Sequence, residues 1–148
     1  MKNSYYVYNN EAIACCIFLE ILREVEKMDY ARFFLILPFL MDDRNVYFLN
    51  KGGEIDVEDF FKNNNRFNNF NSRFLSLIPI AINSLIMLTE IGLIGLDKQK
   101  NIFLIDNDFF NFSLSERLIR IESAIPILLD IILNISTESL YVNLGVEL

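Results

Sequence analysis

The 148-residue chain contains no histidine. That absence removes the commonest general base, the commonest transition-metal ligand and the side chain that titrates near neutrality, and most hydrolase designs with them. Cysteine is nearly absent too: Cys15 and Cys16 stand side by side in a strongly apolar stretch. On a helix two neighbours diverge by about 100°, and one adjacent pair builds no disulfide framework, so both read as reduced core residues. A phosphate-cradling loop is missing, because Gly52-Gly53 is not followed by the lysine and hydroxyl residue such a loop needs. Positive charge is scarce as well. Thirteen basic residues face twenty acidic ones, for a formal charge of -7. The pairs Arg23/Lys27, Arg66/Arg73, Lys98/Lys100 and Arg117/Arg120 are each diluted by nearby carboxylates, which disfavours a non-specific phosphate-binding surface.

Acidic pairs are the remaining place for hidden chemistry. Asp42 with Asp43, Glu58 with Asp59, and Asp106 with Asp108 each fall at an expected helix or strand end. Capping and solvated turns account for them there, and magnesium would need further convergent ligands or phosphate. No catalytic residue, cofactor or metal site is therefore expected.

What is abundant is apolar side chain, at 53% of residues with a mean hydropathy of +0.30. The length suits one domain with a continuous core, read here as 1-148, with an N-terminal helical part (1-74), a winged-helix-like part (75-112) and C-terminal helices (113-148). Leu75 to Leu96 is the one stretch long enough to raise the membrane question. Asn83, Ser84, Thr89, Glu90, Gly92 and Gly95 fit a buried helix followed by a strand better than a lipid-facing span. The first residues, Met1 to Tyr6, lack the apolar run of a signal peptide, so a cytoplasmic location is expected.

The fold class expected is mainly α, a compact helical domain with a helix-plus-hairpin element. Asn9 or Asn10 caps a first helix from Glu11 to about Lys27, whose stripe Ala14, Phe18, Ile21 and Val25 faces the core. Asp29 caps a second from Tyr30 to about Met41, which Pro38 kinks near Phe34 or ends. Asp42, Asp43 and Arg44 then return the chain to solvent, Asn50 to Gly53 make a turn, and Asp56 opens a short helix through Phe61. Pro79 suits the first turn of a further helix that Gly92 stops. Leu93–Leu96 and Ile102–Ile105 form a hairpin about the polar loop 97–101. Ser113 and Glu116 match a capping box, Pro126 bends or splits the helix behind it, and Ser136 or Thr137 caps a last helix ended by Gly145.

Between these elements, residues 63–71 are rich in asparagine, yet Phe67, Phe70 and Phe74 recur at helical spacing. We expect a short amphipathic helix whose aromatic face, flanked by Arg66 and Arg73, is the protein interface. Stacking on single-stranded nucleic acid is the alternative for the same residues. The tail from Leu140 to Leu148 carries too many apolar groups for a free end and is expected to dock on its own domain.

The order of these features resembles the middle component of three-component ABC systems, bacterial conflict loci that include the Lamassu type of anti-phage defence. The resemblance spans nearly the whole chain. It is carried by the opening helix (Asn10, Ala12, Ile13, Ile17, Phe18, Leu19) and the apolar block broken by proline at Phe34 to Leu40. A proline-led helix with its glycine and strand (Pro79, Leu85, Leu88, Gly92, Leu93, Ile94, Leu96, Asp97) and the ending Leu140 to Val146 complete it. The chain departs from the family's pattern at Asp42 and Asp43, where members carry a basic residue or histidine. It departs again at Ile125 to Leu128, where they carry a glycine-tryptophan pair. The resemblance implies a non-enzymatic adaptor working with an ATPase similar to the structural-maintenance-of-chromosomes and Rad50 proteins, and with an effector such as a nuclease. Two other classes remain open: a winged-helix DNA-binding regulator, whose second helix would nonetheless show only Asn83, Ser84, Thr89 and Glu90 to a groove, and a small membrane-associated inhibitor or immunity protein.

Overall fold

The computed structural model describes residues 2–62, 67–106 and 115–147, the side chains of 2–9 excepted. Within them run α1 (Lys2–Glu24), β1 (Lys27–Asp29), α2 (Tyr30–Leu40), α3 (Asp43–Asn50), α4 (Val57–Lys62), α5 (Phe70–Glu90), β2 (Ile94–Leu96), β3 (Asn101–Leu104), α6 (Glu116–Ile132) and α7 (Thr137–Asn143). The mainly helical class is as expected, and several boundaries follow from local chemistry. Asp29 accepts the Arg32 amide at 2.9 Å and opens α2. Asp56 accepts the amide of Asp59, and Ser136 that of Ser139. Gly92, at φ 80°, closes α5 with Leu93 N–H donating to Leu88 and Gly92 N–H to Thr89, the paired bonds of a Schellman ending. Gly145 does the same for α7, with φ 68° and bonds to Val142 and Tyr141.

Other boundaries correct the reading. α1 is already helical from Lys2, because no proline or glycine precedes Glu11 and asparagine inside a helix costs well under about 1 kcal/mol. It stops at Glu24, and Lys27 to Asp29 become a strand that buries Met28. α5 begins at Phe70 rather than Pro79, crosses the boundary expected at 74/75 and carries Pro79 in its interior. Phe70 and Phe74 are buried on the same helix as Ala81 and Leu88, so the packed face runs straight past the proline. Pro79 itself is exposed, as is Leu75, whose carbonyl it strips of a partner, and water can serve that carbonyl. Pro126 is likewise exposed, and α6 continues unbroken past it. The cap of α6 is Ser115, which accepts the Leu118 amide at 3.2 Å; Ser113 lies outside the described residues.

The hairpin is present, and β1 joins it from the other end of the chain. The antiparallel order is β1-β3-β2, with Met28 opposite Ile102 and Leu96 opposite Ile102 on its other side. Asp97 closes the turn by accepting the amides of Gln99 and Asn101. A Cβ at Gly95 would meet the tip of the Phe103 ring at 2.7 Å, so the ring would have to move to admit any other residue. The three strands thus form one small antiparallel sheet beside the helices.

Buried hydrophobics from all of α1, α2, α5 and α6 join one cluster with β2, β3 and α7. Two polar clamps lock it. Arg32, 9% exposed, donates to the carbonyls of Ile132 at 3.0 Å and Ile135 at 2.5 Å and to Thr137 Oγ1 at 3.3 Å. Asp42, expected in solvent, is 7% exposed and caps α3 by accepting the Arg44 amide. It also pairs with the guanidinium groups of Arg44 and Arg73. Burial acts to raise the Asp42 carboxyl, but the side-chain and backbone hydrogen bonds from Arg44 and the charges of Arg73 and Arg44 outweigh it and hold it below the ordinary carboxylate range.

A carboxyl held low lends stability that is complete above the unfolded aspartate value of about 3.9 and lost as pH falls through the folded value. Asp42→Asn should therefore be less stable than the parent at neutral pH, and the gap should close on acidification below about pH 4. Urea titrations of both proteins across that range check it. Arg32→Ala, which removes its bonds to Ile132, Ile135 and Thr137 and leaves the Ile135 carbonyl without that donor, should cost about 1–3 kcal/mol in the same assay.

Candidate protein interface

The aromatic face expected at 67–74 is corrected by burial. Phe67, Phe70 and Phe74 are 8%, 1% and 2% exposed and belong to the core. Phe67 sits 5.8 Å from the Phe39 ring and 5.6 Å from that of Phe60, and Phe70 closes on Phe67 edge-to-face at 6.4 Å. Phe74 meets Tyr141 at 5.8 Å, also edge-to-face. These rings find partners on α4 close by and on α2 and α7, distant in sequence, while Asn68 and Asn69 face solvent and leave the segment its polar look. Arg66 lies outside the described residues. Arg73 is engaged inward, on Asp42 and on the Pro38 carbonyl at 2.9 Å. That carbonyl belongs to the last turn of α2, where helical partners run out.

The apolar surface that is uncovered lies elsewhere, on α5. Leu75, Ile82, Ile86 and Met87 are 51%, 42%, 50% and 45% exposed. Between Arg73 and Glu90 this helix carries no charged residue at all. Its opposite side packs on α1 and α2 through Phe70, Phe74, Ala81 and Leu88. By length and composition α5 could cross a membrane. Within this fold, however, it buries Ser84, whose hydroxyl donates to Ile80 at 2.7 Å, and Asn83 donates to the Glu11 carboxylate at 3.2 Å. The sequence carried the signal for the exposed face: Leu75, Pro79, Ile82 and Ile86 follow a three-and-four spacing with no charge among them.

Beside this face runs a groove. One part, of about 420 Å³, lies between Ile82, Ile86 and the hairpin residues Leu96 and Lys100. A second, of about 520 Å³, lies between Phe74, Ile78 and the α7 residues Glu138 and Tyr141. Tyr30 and Phe34 of α2 line both, so the two parts adjoin at these rings. Tyr141 is fixed by donating its hydroxyl to the Ala31 carbonyl at 2.8 Å. Burial, with Asp29 and Tyr30 nearby, pushes its pKa to about 12, which keeps it a donor at neutral pH.

Of the residues singled out for chemistry, Asp42, Asp43, Glu58 and the two cysteines have structural occupations. Asp42 is the cap and ion-pair centre described above, Asp43 pairs with Arg117 at 3.3 Å, and Glu58 with Lys62 at 3.0 Å. Asp108 lies outside the described residues. Burial raises both thiols, that of Cys16 to about 11, and Cys15 donates to the Ser84 carbonyl. Both are therefore protonated at neutral pH and poor nucleophiles. Among the described residues no three His, Cys, Asp or Glu side chains converge as metal ligands.

A mainly helical domain that turns the bare apolar side of one long helix outward is the class the structure defines. The sequence matches the family model for ABC-three component (ABC-3C) system Middle Component 3 over residues 4–148. The chain belongs to that family and is thus a component of a multi-component ABC system. No curated protein and no solved structure matches it.

Core and surface on α5 should separate cleanly under mutation. Phe70→Ala should cost about 3–5 kcal/mol, whereas Ile82→Ala should stay within about 0.5 kcal/mol. Chemical denaturation of the two variants reads the difference, and near-equal values would remove the distinction drawn between the two faces.

Proposed function

We propose that this middle component is a non-enzymatic adaptor that ties an ABC ATPase, similar to the structural-maintenance-of-chromosomes and Rad50 proteins, to an effector such as a nuclease in a bacterial anti-phage defence complex. The observation that carries the reading is the uncharged, half-exposed flank of α5 with the groove beside it, in a chain whose family is a subunit of a multi-component system. Contiguous apolar surface rimmed by polar residues is what a protein-binding face needs. The thiols and carboxylates that chemistry would recruit are protonated, capping or ion-paired.

A winged-helix DNA-binding regulator is the second reading, favoured by the β1-β3-β2 sheet next to α5. Against it, α5 offers a duplex Ile, Leu and Met where phosphate contacts call for Lys and Arg. Co-expression with the products of the neighbouring genes, followed by affinity purification, should yield a complex containing the ATPase and the effector. Isolation of this chain alone, together with duplex affinity that falls steeply as salt rises, would favour the regulator instead.

A further inference from the structure

We propose that the groove along α5 receives one amphipathic α-helix of a companion subunit, with its C-terminal end at the β2–β3 hairpin and its N-terminal end at α7. This rests on the adaptor reading and adds to it the kind of segment bound, its place and its direction.

Length argues for a helix. On α5 the groove extends from Phe74 to Thr89, fifteen positions and so about 22 Å at 1.5 Å per residue. A guest helix of about four turns spans it, and apolar anchors three and four residues apart on that helix are what such a trough takes. The walls agree: Ile82 and Ile86 offer half-exposed aliphatic surface, and Tyr30 and Phe34 lie midway as a shared aromatic step.

Charge sets the direction. Lys100 lines the hairpin end, and Lys98 is exposed in the same turn. Asp97, the carboxylate between them and β2, is occupied by the turn's own amides. Glu138 lines the other end, while Asp29 is paired with Arg32 and lies opposite Asn101, so it marks neither end. Glu90 stands on α5 beyond Thr89 and does not line the groove. A helix carries partial negative charge at its C-terminus and positive charge at its N-terminus. Its C-terminus, with acidic side chains there, therefore suits Lys98 and Lys100, and its N-terminus suits Glu138.

The test uses the full chain, affinity-tagged and co-expressed with the neighbouring gene products. Ile82→Asp with Ile86→Asp should cut the recovered companion tenfold or more, and Lys98→Glu with Lys100→Glu several-fold. Val142→Asp, 78% exposed on α7, should leave recovery unchanged. Thermal unfolding of each variant confirms that these surface changes leave the fold intact. Benzoylphenylalanine at Leu96 and, separately, at Glu138 should crosslink to the C-terminal and N-terminal ends of one helical companion segment; the reverse order overturns the direction. If the wild type brings down its companions and the groove variants do so equally well, the groove inference falls while the adaptor reading stands. A wild type that brings down no companion sinks both. If the chain instead dimerises through this face, with the isoleucine variant monomeric and no companion crosslinked, a second copy is the occupant and the proposal is overturned.

Discussion

The guanidinium of Arg32 joins the two ends of the chain, and the groove takes its shape from that joint. Arg32 lies in the first turn of α2, opened by Asp29, and its donors reach the carbonyls of Ile132 and Ile135 where α6 gives out. The Ile132 carbonyl, which also accepts the Ile135 amide at 3.1 Å, ends α6, and a cation there suits the negative end of the dipole. Thr137 completes the joint by accepting from Arg32 and donating to Asp29, which simultaneously caps α2. One set of bonds thus starts α2, ends α6 and positions α7. From that position Tyr141 reaches Ala31 and Phe74, and Leu140 and Leu144 enter the core. Without it, the α7 wall of the groove would have nothing to hold it against α5.

Features decided within a few residues were legible in the sequence. The caps at Asp29, Asp56 and Ser136 and the left-handed glycines 92 and 145 act over one turn of chain, so residue type and spacing suffice to find them. The hairpin was legible for the same reason. Features decided by distant partners were not. Asp42 looks like a solvated turn until Arg73, 31 positions away, is seen to close on it. A three-residue β1 is too short to show alternation and exists because β3 has an edge to pair. Phe67, Phe70 and Phe74 sit among asparagines that imply a surface, and only the rings of Phe39, Phe60 and Tyr141 reveal a core.

Pro79 and Pro126 lie inside helices that run on past them for one shared reason. Proline costs a helix one hydrogen bond and clashes with the carbonyl four residues back, about 3 kcal/mol in an interior. That penalty ends an isolated helix, but α5 is tied down on both sides of Pro79 by buried residues from Phe70 to Leu88. α6 is tied down similarly around Pro126, from Leu118 to Ile132. In each case the proline stands on the exposed side, where solvent can serve the freed carbonyl and no packing is lost. Pro38 differs: it is buried, and α2 ends two residues later at Leu40. Tertiary packing, not residue preference, decides how far these helices run.

The same helix that escapes its proline carries the apolar surface that Phe67, Phe70 and Phe74 do not expose. α5 has two apolar sides, one toward α1 and α2 and one outward, and only their exposure distinguishes them. A solvated helix face ordinarily carries lysine and glutamate, which stabilise it through pairs three and four residues apart. Nothing in the packing of this domain requires Leu75, Ile82, Ile86 and Met87 to replace them. The proposed partner would account for them, because burying those side chains is worth roughly 25 cal/mol per Å² of apolar surface removed from water. The groove walls come from α2, α5, α7 and the hairpin, so a guest seated there touches parts that meet only in the folded chain. Binding to the folded state alone stabilises it by mass action. On the proposed docking, assembly and folding of this middle component would be linked, and the outward side of α5 would become a source of stability in the complex.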